Sequence, residues 1–201
     1  MTNNKREEHA IVLDFLAHGY PFDERPSYKK KPIVQSIGVN HLTLMELIPK
    51  KGVHLKSGEK VYIGSEKRER IHHIASRMDY EKLTETARTE LKFILEDLVL
   101  EKEEEFIKFF NKASPLSTRM HQLEILPGLG KKHMKVIIEA REEKPFESFE
   151  DLKERVSLIP DPIKTVVKRI ILELEGNEKY NIFVPSQRSS RNGRRNNRRR
   201  R

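Results

Sequence analysis

The spacing of apolar and polar positions changes period partway along the chain. Between residues 9 and 75 the runs are short: Ile11, Leu13 and Phe15 alternate, Ile33, Ile37 and Val39 nearly do, Leu42 to Ile48 is a compact apolar run, and Val61-Tyr62-Ile63 follows Ser57-Gly58. Such runs, punctuated by Gly19-Tyr20-Pro21, Lys51-Gly52, Ser57-Gly58 and Gly64-Ser65, predict about five short strands. A small barrel is the economical way to pack them, and an OB-like barrel is one such solution. Beyond residue 78 the period is helical. Asp79 is expected to cap a helix whose Leu83, Ala87, Leu91, Ile94, Leu95 and Leu98 share one stripe, and Phe106, Phe109 and Phe110 continue the apolar pattern. Leu116, Met120 and Leu123 give another stripe, as do Met134, Ile137 and Ile138, and then Ile163, Val166, Val167, Ile170, Ile171 and Leu174.

Two of these stripes flank Leu126-Pro127-Gly128-Leu129-Gly130-Lys131-Lys132. Glycines permit positive φ and close approach of another backbone. The first turn of the following helix presents N–H donors and a partial positive charge, which suits a phosphate. With Ser148 and Asp151 opening the next helix as a capping pair, the block resembles the helix-hairpin-helix module of DNA- and RNA-binding proteins. Such modules often come in pairs. Asp161-Pro162 reads as an N-cap and first helical residue, but Ile159-Pro160-Asp161-Pro162 lacks glycine and puts a carboxylate where a phosphate would sit, so this second hairpin is expected to be degenerate and structural.

The fold class expected is α+β. Residues 1–8 form a flexible terminus, 9–78 an OB-like β-barrel, 79–113 connecting helices, and 114–176 an all-helical helix-hairpin-helix domain. Residues 177–201 are a C-terminal extension with a disordered tail.

Charge singles out that tail. Gln187 to Arg201 carries eight arginines (Arg188, Arg191, Arg194, Arg195, Arg198, Arg199, Arg200 and Arg201) and no acid, so of the formal +9 only about +1 belongs to residues 1–186. Arginine forks pair with phosphates and stack on bases, which makes nucleic acid the expected partner; a solubilising, membrane-binding or targeting tail is the competing reading. The composition, 36% hydrophobic and 35% charged, fits two modest cores under a charged surface, in a cytoplasmic protein with no membrane span. The absence of cysteine excludes disulfides, thiolate zinc sites and thiol nucleophiles.

In the barrel, Tyr20, Phe22 and Tyr28 with Lys29, Lys30 and Lys31 are candidates for base stacking and phosphate contact; Phe15 is expected to be buried. Asp151 lies at a distance from Gly130 that some glycosylases use for a catalytic Asp, yet its context is that of a helix start. His72-His73 would face opposite ways in a strand, and His121 and His133 have no companion ligands. No catalytic residue, metal or cofactor is expected.

Ala10-Ile11-Val12-Leu13-Asp14-Phe15-Leu16, Gly58-Glu59-Lys60-Val61-Tyr62-Ile63-Gly64, Phe109-Phe110-Asn111-Lys112-Ala113 and Arg119-Met120-His121-Gln122-Leu123-Glu124-Ile125-Leu126-Pro127-Gly128-Leu129-Gly130-Lys131-Lys132 resemble a mainly archaeal family, domain of unknown function six-five-five, over roughly residues 8–184. The resemblance implies the OB-like barrel, the helix-hairpin-helix part and a role in RNA binding; the family's gene neighbourhoods point toward ribosome biogenesis or transcription, and so to partners in those machineries. The expected function is therefore non-catalytic nucleic-acid binding, RNA before DNA. The alternatives are a DNA-binding helix-hairpin-helix protein and a protein-interaction scaffold.

Overall fold

The computed structural model describes residues 6–24, 26 and 30–185. The described residues pack as two compact units, one containing those from 6 to 91 with 172–185, the other residues 92–171.

The first unit is an antiparallel sheet of β1 (His9–Leu16), β2 (Ile33–Gly38), β3 (Leu44–Pro49), β4 (Lys60–Tyr62) and β5 (Ile71–Arg77), in the order β4-β1-β2-β3-β5. It curls into half a barrel, and the edge strands β4 and β5 are not paired with one another. Ala10, Val12, Val34, Met45, Leu47, Leu55, Val61, Ile63 and Ile71 form the core cluster.

Irregularities in the ladders explain where simple alternation misleads. In β1 the register against β2 shifts between Val12 and Asp14, so Leu13 is an extra residue and the side-chain phase inverts. Ala10 and Val12, rather than Ile11 and Phe15, are the fully buried positions beside Leu13, and Phe15 is only half buried, edge-on to His54. In β5, Ile48 pairs with His73 and Pro49 with Ile71; His72 is bulged, and the two histidine rings, expected on opposite faces, instead lie 4.9 Å apart on the surface.

Asp79 heads a short 3-10 turn, Tyr80–Lys82, without a side-chain cap. The cap of α1 (Glu85–Glu101) is Thr84, whose Oγ1 accepts from the Ala87 N–H at 3.0 Å and donates to Asp14 Oδ2 at 2.6 Å. The predicted stripe holds: Leu83, Ala87, Leu91, Ile94, Leu95 and Leu98 are all buried. Fully buried Gln35 ties the first unit together, accepting from the Thr84 N–H (3.0 Å) and donating to the Lys82 carbonyl (3.0 Å) and the Tyr20 hydroxyl (3.3 Å). At the other end of this unit, the buried Glu173 carboxylate accepts main-chain N–H bonds from Ile182, Phe183 and Val184 at 2.8–2.9 Å.

The second unit contains α2 (Glu103–Lys112), a two-stranded ribbon of β6 (Pro115–Ser117) and β7 (Met120–His121), α3 (Lys131–Glu143), α4 (Phe149–Arg155) and most of α5 (Pro162–Glu175). The ribbon corrects the expectation of an all-helical domain. Leu116, Met120 and Leu123 share helical spacing but not a helix: the first two lie in the ribbon, and the third in a 3-10 turn, Gln122–Ile125. Phe110, Leu123, Ile137, Phe149, Leu152, Val166 and Ile170 are buried. Arg155 donates to the Ala140 and Lys144 carbonyls, satisfying the C-terminal end of α3, while its guanidinium covers the Phe146 ring at 4.7 Å.

Candidate nucleic-acid interface

The glycine loop begins on a capped turn. His121 Nδ1 accepts from the Leu123 N–H at 3.1 Å, and Glu124 Oε1 accepts from the His121 N–H at 2.9 Å, a reciprocal pair built on an imidazole in place of a hydroxyl. Accepting at Nδ1 requires the neutral ring. Burial, seconded by the charge of Arg141, holds the His121 pKa below its ordinary value.

Buried Leu126 and Leu129 anchor the loop, which turns through a bond from the Leu129 N–H to the Leu126 carbonyl at 3.0 Å. Gly128 takes φ +86°, and a side chain there would come within 3.2 Å of Pro160, so this glycine serves both backbone conformation and close packing. Gly130 has a different part. Its φ is −95° in extended backbone that any residue adopts, and a Cβ there would meet open space; it is the N-cap of α3, and being glycine it supplies no capping side chain. Arg169, buried on α5, donates to the Ile125 carbonyl at 3.2 Å and fixes the turn leading into the loop.

The helix starts differ in chemistry. Ser148 Oγ accepts from the Asp151 N–H (3.1 Å), and Asp151 Oδ2 in turn accepts from the Glu147 N–H (3.0 Å). Asp161 Oδ1 accepts from the Ile163 and Lys164 N–H groups at 3.0 and 3.2 Å. Thr84 caps α1, and α2 opens with Glu103, Glu104 and Glu105. Among the described helices, α3 alone starts with neither a side-chain cap nor an acid in its first turn; it presents exposed Lys131 and Lys132 instead.

His133 and Asp151 are committed to structure. His133 Nε2 donates to the Leu158 carbonyl at 3.1 Å. Leu158 itself has φ +60° and is 93% exposed. The Asp151 carboxyl is held below its usual range, first by its hydrogen bond from the Glu147 N–H and then by Arg155.

In the first unit, Tyr20, Phe22, Lys30 and Lys31 belong to the β1–β2 connection. A side chain at Gly19, which has φ +69°, would meet the Lys31 carbonyl at 3.2 Å, so the base of this loop is closed. Phe22 is 95% exposed, whereas Tyr20 is half buried with its hydroxyl turned to Gln35. Of the candidates here, Phe22 is open for stacking and Tyr20 braces the loop. Tyr28, Lys29 and the arginine tail lie outside the described residues. Among the described residues there is no cluster of three or more metal-ligating side chains, and no helix is long and apolar enough to cross a membrane.

The sequence places Pro160 in the degenerate hairpin but does not show its approach to Gly128, and it leaves Arg169 and Leu158 unread. A lone arginine in an apolar helical stripe is the available signal for Arg169; nothing in the sequence marks Leu158.

Comparison with known proteins places this architecture in a family. The model of the protein-of-unknown-function family DUF655 matches residues 6–185, and the chain belongs to that family. An uncharacterized protein of Methanocaldococcus jannaschii is 44% identical over 182 residues, 90% of this chain and 81% of that one. A crystal structure of a DUF655 protein from Archaeoglobus fulgidus superposes with a TM-score of 0.84 at 43% identity, covering 89% of this chain and all of the other.

Proposed function

We propose that this protein is a non-catalytic nucleic-acid-binding protein that favours RNA and grips backbone phosphate at the start of α3. The observation that carries the reading is the contrast among helix N-termini: others are occupied by the protein's own oxygens or acids, while α3 opens on Gly130 and two lysines. Main-chain donors of the first turn hold a phosphate oxygen, and the Lys131 and Lys132 side chains neutralise its neighbours. In this reading the loops before α3 and α5 are a helix-hairpin-helix pair. The second loop is closed by Asp161, whose carboxylate takes the place of a phosphate. The half-barrel is an OB-like platform that offers Phe22 to an unpaired base. Ribosome biogenesis or transcription, in the cytoplasm, is the setting we favour.

Gly130→Asp tests this cleanly. The position is conformationally ordinary and open, so an aspartate there caps α3 and stabilises it by a few tenths of a kcal/mol relative to glycine. It also puts a carboxylate in the phosphate position. Affinity for labelled RNA should fall about tenfold or more, with the neutral cap Gly130→Ser losing less. Normal RNA binding by a folded Gly130→Asp protein would reduce the loop to a turn between helices. In the same assays RNA and DNA should be recovered intact with or without divalent metal; cleavage abolished by Asp151→Asn would overturn the non-catalytic part.

A further inference from the structure

The near-neutral total for residues 1–186 conceals a strongly basic surface in the first unit. Residues 50–77 carry eight lysines and arginines against three glutamates, leaving the rest of the first 186 residues net negative. This stretch forms the β3–β4 loop, β4, the β4–β5 loop and β5. Its apolar members Leu55, Val61, Ile63 and Ile71 point into the half-barrel core, which leaves the intervening charges on the outside.

Its two loops are laced into one surface at Arg70. The Arg70 carbonyl accepts from the Lys50 N–H at 2.9 Å, its Nη2 donates to the His54 carbonyl at 3.0 Å, and its Nη1 pairs with Glu59. Glu59 Oε2 also accepts from the Lys56 N–H at 3.0 Å. The acid at the centre of the patch is thus engaged within it, and Glu66 and Glu69 are the remaining acids of the stretch. Lys51, Lys56 and Lys67 are exposed and Lys50 half exposed. Of the rings nearby, His54 packs edge-on against Phe15 at 4.5 Å, Tyr62 edge-on against His9 at 5.4 Å, and the exposed His72 and His73 edge-on against each other at 4.9 Å. Exposed lysines on two joined loops suit backbone phosphates, which take point charges without reading sequence.

We infer that the surface formed by the β3–β4 and β4–β5 loops is a second nucleic-acid contact, in which Lys50, Lys51, Lys56 and Lys67 engage the RNA backbone without reading sequence. It shares its ligand class with the α3 site and does not depend on that site.

The test compares full-length protein with a Lys50→Gln, Lys51→Gln, Lys56→Gln, Lys67→Gln variant on a fluorescein-labelled RNA hairpin across salt concentrations. Four lost phosphate contacts should flatten the log–log salt dependence by about 3, equivalent to roughly 60-fold between 50 and 200 mM salt. Should the quadruple variant fold poorly by circular dichroism, the Lys50/Lys51 and Lys56/Lys67 pairs are measured separately, each expected to remove about half of that slope. Gly130→Asp separates this surface from the α3 site. If Gly130→Asp binds normally while the lysine variant loses slope, this surface stands and the α3 reading falls. A folded lysine variant with an unchanged slope overturns the inference, including the case in which the patch serves an acidic protein instead.

Discussion

His121 shows how one side chain can couple the candidate site to pH. Its neutral ring caps the turn that leads into the glycine loop, and burial lowers its pKa from the ordinary 6.5. The unfolded chain therefore binds the proton more readily, and stability rises with pH across this window. The contribution of His121 is fully present above about pH 6.5 and is lost as pH falls through its lower folded value. Thermal melting should accordingly show a decline between pH 7 and 5 that is absent in His121→Asn, because asparagine is a good N-cap without a charge to gain. An Asn variant with the same pH profile would assign the decline to other groups.

At the level of elements, helix ends carry both the stability and the proposed binding. Asp161→Ala should cost about 1 kcal/mol in urea unfolding, and Asp161→Ser should recover most of it, since serine still accepts from the first-turn N–H groups. Equal stability of all three proteins would mean that the Asp161 bonds contribute nothing net. The caps Ser148 and Asp161, and the stripes of α1 and α5, were legible because capping and helical burial depend on residues a few positions apart. The strand phase was not. Which residue becomes the extra one in β1 or β5 is decided by the neighbouring strand, so Leu13 and His72 carry no local mark. The Leu116, Met120 and Leu123 spacing misled for the reverse reason: three apolar residues fit a helical period, but Met120 lies in a ribbon strand and is exposed. In the glycine loop both glycines were visible, while their division of labour required Pro160 on one side and open space on the other.

For the whole molecule, net positive charge is concentrated in the arginine tail and in residues 50–77, and the rest of the chain is net negative. If half of the eight tail arginines sit on phosphates, removing residues 187–201 should flatten the salt dependence of RNA binding by about 3 to 4. Preference between a matched and a scrambled RNA should stay the same, because backbone contacts carry no base information. Unchanged slopes would assign the tail to another partner. Where the chain is cut matters as much as what is removed. The Glu173 carboxylate gathers the N–H groups of Ile182, Phe183 and Val184, and Val184 is itself buried. A chain ending before residue 182 would remove three main-chain hydrogen bonds from the buried Glu173 carboxylate and misrepresent tail loss as instability. A shortened gene should therefore run through Pro185, and a fusion partner belongs beyond it.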